Sequence, residues 1–181
     1  AIAESLRVTM WIGDTGANVY NKFDGFLTKI MNYEEVVHVD FSDFPIDMGN
    51  VLEAFNRLWV AASPRLKSMK NDGNLVFLVT SDVYDAYEQY LDACGSDAAY
   101  NDLSTGRREL SYHGMKFIDI GVSHILSEIG AENQSVCILT DRRNLVLAVN
   151  TADYPGSEVR MWYNPDEMEN RQRAIFMAGC E

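Results

Sequence analysis

Two groups of side chains in this sequence could act in catalysis. Asp14-Thr15-Gly16 is a tripeptide that can carry an active carboxylate for peptide hydrolysis, and Cys94 with His113 could form a thiolate–imidazole pair. Polar residues, Asn18 and Lys22, follow the tripeptide, so a turn explains it better. Cys94 falls at the predicted C-terminal end of a helix, where the helix dipole disfavours a thiolate. We therefore predict no catalytic residues and no enzyme activity.

Metal ligands and cofactor motifs form no recognisable pattern either. The histidines are dispersed, without HxH or HExxH spacing; they are His38, His113 and His124. A group of neighbouring aspartates lacks the alternating spacing and closing glutamate of a calcium loop, so turn and cap roles explain it better; its members are Asp40, Asp43 and Asp47. The sequence contains no GxGxxG and no P-loop motif. We predict no metal and no cofactor.

Cysteines and paired arginines have ordinary interpretations. The cysteines lie far apart without a CxxC pair, which indicates reduced thiols in a cytosolic setting; they are Cys94, Cys137 and Cys180. Arg107-Arg108 and Arg142-Arg143 are the basic pairs of the chain. Each could meet a phosphate or an acidic neighbouring subunit, but a salt bridge is the more common role of such a pair.

Length and charge bound the class of protein. The chain has 181 residues, 47% of them hydrophobic and 23% charged, which is typical of one globular domain or a domain with an appendage. Its formal charge of −12 argues against sequence-independent binding to nucleic acid and against binding to anionic membrane surfaces. The longest apolar runs have five residues, among them Leu75–Val79 and Leu145–Val149, and are far shorter than the roughly 20 residues that span a bilayer.

The first half of the chain mixes predicted strands and helices. Leu6–Ile12 has the composition of a strand. From Asp47 an apolar stripe at helical spacing begins, and Pro64 predicts that this helix ends or kinks near Ser63. Leu75–Val79 is predicted to be a strand buried on both faces. A second helix is expected from Ser81, whose hydroxyl would cap the helix, to a stop at Gly95.

The second half is predicted to be mainly strands. Residues 96–111 have the composition of a long polar loop, and Met115–Ile120 alternates as a strand does. Val136–Leu139 and Leu145–Val149 predict two more strands. The end of the chain predicts a hairpin, formed by Glu158–Tyr163 and Arg171–Ala178. The whole pattern predicts the α+β class.

Several segments in order resemble one protein family. Trp11–Thr15 and Phe23–Leu27 are similar to a W-x-G-D-T…(F/I)DG(F/L) stretch, and Ser81–Tyr87 is similar to a helix start of the form SxxVYxAY. Further matches are Leu110–Ile118 to L-x-(aromatic)-x-G-x-x-(apolar)2, Ile138–Val149 to an ILT-basic-NLV segment, and Glu158–Gly179 to V-x-V-x-Y-D-x-D…R-x-R-x-x-F-x-A-G. The chain therefore resembles the major capsid (head) proteins of tailed bacteriophages with the Hong Kong 97-like fold.

This resemblance implies a domain plan. An axial domain, a sheet with flanking helices, would span residues 44–150; a peripheral domain would comprise 1–43 and 151–181, the latter forming a β-hairpin arm. Leu75–Val79 and Leu145–Val149 would share the axial sheet, and the hairpin would form a separate sheet with the N-terminal strand. The family's N-terminal arm, extended loop and spine helix have no counterpart here. Since the sequence begins at Ala1, we expect a C-terminal portion of a longer capsid protein.

The implied function is that of a structural subunit of a phage or prophage head, self-assembling into pentamers and hexamers that enclose DNA. Its partners would be copies of itself, with a scaffolding protein and a maturation protease as further candidates; neither sequence-specific nucleic-acid binding nor membrane binding is expected. It would be located in the virion after assembly in the bacterial host cytoplasm. The alternatives are an encapsulin-type nanocompartment shell protein, a generic interaction module and a small α+β hydrolase using Cys94 or Asp14.

Overall fold

Helices and strands are mixed along the chain, which confirms the α+β class. The computed structural model describes residues 2–41, 46–94, 100–102, 107–128, 135–149, 159–174 and 178–181. The helices are α1 (Ile2–Ile12), α2 (Phe26–Asn32), α3 (Val51–Ala61), α4 (Pro64–Ser68), α5 (Ser81–Ala93) and α6 (Ser123–Glu128). The strands are β1 (Leu75–Val79), β2 (Tyr100–Asp102), β3 (Arg107–Glu109), β4 (Ser111–Tyr112), β5 (Met115–Asp119), β6 (Cys137–Asp141), β7 (Leu147–Val149), β8 (Val159–Asn164), β9 (Glu169–Ala174) and β10 (Ala178–Cys180).

Two compact units divide the chain. Residues 34–144 form one, called here the central unit, and residues 1–33 with 145–181 form the other, called the terminal unit. The central unit contains the mixed sheet and its flanking helices. The assignment of axial and peripheral domains to residues 44–150, 1–43 and 151–181 stays a prediction.

The helical segment before β1 breaks where the sequence predicts. Helix α3 ends at Ala61, and Pro64 occupies the first turn of α4, where its missing N–H costs no hydrogen bond. The Ser63 hydroxyl accepts a hydrogen bond from the Leu66 amide at 3.2 Å, which caps α4. A short 3₁₀ turn, Met69–Asp72, then leads to Gly73, whose φ of +69° suits glycine.

A four-stranded mixed sheet forms the middle of the central unit, in the order β4-β5-β1-β6. Strand β1 pairs parallel with β5 and antiparallel with β6, and all five of its residues are buried. The prediction of a strand covered on both faces is thereby confirmed. Strands β4 and β5 are joined by His113 and Gly114, both at positive φ, as a two-residue hairpin turn requires.

An aromatic core fixes α3 and α5 to one face of this sheet. Phe77 and Phe117 are register partners on β1 and β5, and their rings stack 4.9 Å apart. Phe55 of α3 lies against both of them and against Tyr87 of α5, with ring centroids 4.8 to 5.6 Å from its own. Phe55 is fully buried. The apolar stripe of the sequence therefore packs on the sheet as helical spacing predicts.

The predicted cap of α5 is wrong. Thr80 is the residue that precedes the helix, and its carbonyl accepts the Tyr84 amide at 3.1 Å. The Ser81 hydroxyl instead donates to the Asp119 carboxylate at 2.9 Å, because β5 ends beside it. The Asp119 carboxylate at the end of β5 thus binds the hydroxyl that the local sequence predicts as the cap of α5. Gly95, the predicted stop, lies outside the described residues.

The N-terminal segment is a helix and not the predicted strand. Val8 and Trp11 of α1 are three residues apart and both buried, so they form one helical face. Trp11 contacts Phe26 of α2 edge-on, with ring centroids 5.4 Å apart. Gly25 permits this approach, since a Cβ there would lie 2.7 Å from the Trp11 carbonyl oxygen. The β-branched residues that suggested a strand are overridden by this packing.

Three further expectations differ from the structure. Leu147–Val149 pairs with β10 in the terminal unit and does not join β1, whose neighbours are β5 and β6. The predicted polar loop 96–111 contains the antiparallel pair β2–β3 in its described part. The C-terminal hairpin is confirmed as β8–β9, but it forms a two-stranded sheet of its own without an N-terminal strand. In each case the pairing partner of a strand decides the outcome: β7 pairs with the distant β10, whereas β2–β3 and β8–β9 are local pairs.

Replacing Phe55 by alanine tests the aromatic core. The substitution empties a fully buried site that several rings surround, so we expect the free energy of unfolding to fall by about 3–5 kcal/mol. Chemical denaturation followed by far-ultraviolet circular dichroism measures this change. Val60→Ala on the same helix is the control, because Val60 is exposed and its loss should cost within about 0.5 kcal/mol. Equal losses for the two variants would contradict the assigned core.

Candidate functional site

The Asp14-Thr15-Gly16 tripeptide lies in a turn, as predicted. Asp14 Oδ1 accepts the Gly16 amide at 2.8 Å, which closes the turn locally. Asp24 Oδ1 accepts both the amide and the hydroxyl of Thr15, each at 2.8 Å. The Thr15 amide, followed by its hydroxyl, lowers the pKa of Asp24 from its usual value. The described bonds of this turn therefore stabilise its backbone and favour the charged form of Asp24.

Cys94 and His113 have separate described surroundings. Cys94 is exposed at the C-terminal end of α5, and its amide donates to the Tyr90 carbonyl at 3.1 Å. The His113 ring lies 4.3 Å from the ring of Tyr112 and 6.1 Å from that of Trp59. These contacts place His113 against aromatic rings of β4 and α3. Nothing among the described hydrogen bonds joins it to the Cys94 thiol.

Candidate metal ligands do not converge within the described residues. All three histidines are exposed, and the part of the chain that the structure describes holds no cluster of three histidine, cysteine or acidic side chains suited to a metal. Asp47 Oδ1 accepts the amides of Gly49 and Asn50, which is the predicted turn role before α3. Asp43 lies outside the described residues.

One arginine of the second basic pair forms the predicted salt bridge. Asp141, at the end of β6, is buried, and its carboxylate receives Arg143 Nη2 at 2.6 Å and Arg143 Nε at 3.0 Å. These bonds lower the pKa of Asp141 below its usual value. Arg142 bonds the Asn74 side chain at 3.0 Å, so the pair joins the end of β6 to the turn before β1. The side chains of Arg107 and Arg108 lie outside the described set.

A polar cluster collects where the parallel strands β1 and β5 end. Asp119 takes the Ser81 hydroxyl on one oxygen and the Gly121 amide on the other, at 2.9 and 2.8 Å. The Ser123 hydroxyl accepts the Ser81 amide at 3.0 Å, which links the starts of α5 and α6. The sequence analysis missed this cluster, although polar residues directly after two buried strands are the signal for it. Its described bonds are internal, so its chemistry is to fasten strand ends to helix starts.

The two most exposed large apolar residues of the described set, Met161 and Met168, lie on the C-terminal hairpin. We name the hairpin surface by its members: Met161, Trp162, Tyr163 and Met168, which are 75%, 46%, 57% and 82% exposed. Alternation along β8 places Trp162 on the face opposite to Met161 and Tyr163, so both faces carry exposed apolar side chains. Met168 stands at the tip at a φ of +53°. Exposed patches of this composition are characteristic of interaction sites.

Comparisons with protein-family models, with curated proteins and with solved structures found no match. Among the described residues, no helix has the length and apolar character needed to cross a membrane. The hairpin surface is therefore identified as the candidate functional site on its geometry and exposure.

The Asp141→Asn variant tests the ion pair between the buried Asp141 carboxylate and Arg143. Because the folded state lowers the pKa of Asp141 below the unfolded value of about 3.9, its charge stabilises the fold above that pH and loses this effect as the pH falls through the folded-state value. We expect Asp141→Asn to lower the melting temperature at pH 7 and to match the wild type at the acid end. Thermal unfolding from pH 7 to pH 2 gives the comparison.

Glu53→Gln is the matched control for that experiment. Glu53 pairs with Arg57 one helical turn away, and both side chains are about half exposed. Solvent screens such a pair, so the melting temperature should change little at any pH. If Asp141→Asn lowered the melting temperature equally at every pH, the shape of the Asp141 side chain and not its charge would be the stabilising property.

Proposed function

We propose that this chain belongs to a structural shell subunit whose copies associate through the hairpin surface. The observation that carries the proposal is the exposure of Met161, Trp162, Tyr163 and Met168 on a two-stranded sheet. Leaving these side chains in water forgoes the free energy that their burial would provide. A partner that covers the hairpin would bury these side chains and gain that free energy.

The marginal stability of a two-stranded sheet also favours the binding of a partner to the hairpin. A two-stranded hairpin is marginally stable by itself in water and gains from packing against a further element. Tryptophan, tyrosine and methionine are enriched in the centres of protein interfaces, and tryptophan and tyrosine are frequent hot spots. In a closed shell every subunit repeats the same contact, so modest individual affinities combine through multivalency. Head-to-tail contacts of this kind close into rings.

The capsid resemblance gives this proposal its finer form. The mixed sheet with flanking helices in residues 34–144 is compatible with an axial domain, and the terminal unit carries the hairpin that the resemblance assigns to a peripheral domain. We propose the Hong Kong 97-like fold, association into pentamers and hexamers, and a shell that encloses DNA in a phage or prophage virion. Scaffolding protein and maturation protease are the further partners proposed, and the role is structural without catalysis.

Sedimentation velocity and negative-stain electron microscopy test the proposal. We expect the protein to self-associate with rising concentration into rings or shell fragments. Trp162→Ser and Met168→Ser should each weaken self-association at least about tenfold, since exposed anchors of this kind carry most interface energy. Their thermal stability should stay close to that of the wild type, because both side chains are exposed.

Met31→Ser provides the control, because Met31 is equally exposed but lies on α2 and not on the hairpin. It should associate as the wild type does. A wild-type protein that sediments as a monomer at every accessible concentration would refute the proposed function.

A further inference from the structure

The C-terminal hairpin has a strand edge without a main-chain partner among the described residues. Strand β8 pairs with β9 and with no other described strand. In an antiparallel pair, alternate residues direct their N–H and C=O groups away from the partner strand, so every second residue of β8 presents these groups at the outer edge. An edge of this kind is a template for pairing with another chain.

The two edges of the hairpin differ in their protection against such pairing. The described side chains of β9 are polar or charged and exposed; they are Glu169, Asn170 and Arg171. Charged side chains on an edge strand oppose pairing with a second strand. Strand β8 instead presents three adjacent exposed side chains that are large and uncharged; they are Met161, Trp162 and Tyr163. Side-chain composition therefore protects the β9 edge and leaves the β8 edge open.

We propose that β8 of one copy pairs antiparallel with β8 of a second copy about a twofold axis, so that two hairpins form one four-stranded sheet. The inference rests on the proposed function and names a main-chain contact through which the hairpin associates. An antiparallel edge is self-complementary under twofold symmetry, because each copy offers the same donors and acceptors in reverse order. A sheet of four strands also exceeds the two strands that are marginally stable alone.

The exposed side chains of β8 favour one register for this pairing. Twofold symmetry places one residue opposite its own copy at the axis, and opposed side chains project from the same face of the sheet. With Trp162 at the axis, the two tryptophans are opposite each other, and Met161 of each copy is opposite Tyr163 of the other. Aromatic pairs and methionine–aromatic contacts stabilise a sheet at opposed positions. Each of the three side chains thus gains an apolar neighbour.

The edge and the faces of the hairpin have separate roles in the proposed shell. The twofold contact joins copies in pairs, whereas ring closure requires head-to-tail contacts. Met168 at the tip and the two apolar faces of the sheet remain for those contacts. A second copy is favoured over an unrelated peptide as the occupant of the edge, because this register matches side chains that the chain itself provides.

Hydrogen exchange of backbone amides gives the first arm of the test. As the concentration rises and copies associate, every second amide of β8 should exchange at least about tenfold more slowly, since its outward N–H becomes hydrogen-bonded. The outward amides of β9 are the control and should keep their fast exchange. Mass spectrometry with fragmentation resolves the individual amides. Protection of the alternate β8 amides that is complete at the lowest concentration would place the partner within one copy and overturn the inference.

Disulfide trapping gives the second arm and tests the register. In a Cys94→Ser background, which removes the exposed cysteine, Met161→Cys copies are mixed with Tyr163→Cys copies and oxidised. Directly opposed positions bring Cβ atoms to about 4.5–5.5 Å, near the separation that a disulfide spans, so we expect a mixed dimer linked between positions 161 and 163. Mass spectrometry identifies the linked peptides.

Asn164→Cys replaces Tyr163→Cys in the matched control for this trapping. One step along a strand turns the side chain to the other face of the sheet, so the yield of the mixed dimer should fall at least about tenfold. Equal yields in the two mixtures would overturn the proposed pairing.

The outcomes separate this inference from the proposed function. A wild type that remains monomeric refutes both. A wild type that assembles without slower exchange of the β8 amides and without the mixed disulfide refutes only the edge pairing. Association through the apolar faces of the hairpin surface would then stand alone.

Discussion

The central unit depends on the packing of Phe55 against aromatic rings from four other elements, β1, β4, β5 and α5. Phe77 and Phe117 present stacked rings on adjacent parallel strands, and Phe55 and Tyr87 bring α3 and α5 onto them. Since β1 is buried on both faces, it provides a fixed plane for this packing. The positions of α3 and α5 on the sheet and the burial of the apolar stripe follow from that cluster.

Polar groups at the edges of the sheet are fastened by side chains distant in sequence. Asp119 holds the start of α5 through Ser81, and Asn74, in the turn before β1, holds Arg142 after the end of β6. Each bond satisfies a group that would otherwise be costly to bury or leave unpaired.

The proposed function joins two properties that separate parts of the chain possess. The terminal unit carries a hairpin with exposed tryptophan, tyrosine and methionine, while the central unit is strongly acidic. A shell subunit uses such a division, because every copy must both present a contact and receive one. The apolar members of the hairpin surface would supply the affinity of the proposed contact between copies.

The sequence by itself determined the elements whose signals are local. Pro64 ended a helix because proline cannot continue one, five consecutive apolar residues defined β1, and alternation at both ends of a tip predicted the hairpin. Tertiary structure decided the rest. Leu6–Ile12 is helical because Val8 and Trp11 form one buried face, and Trp11 packs on Phe26. The Ser81 hydroxyl binds Asp119 instead of capping α5. Leu147–Val149 pairs with β10 and not with the central sheet. In all three the competing interaction comes from a residue distant in sequence, whose position no local pattern encodes.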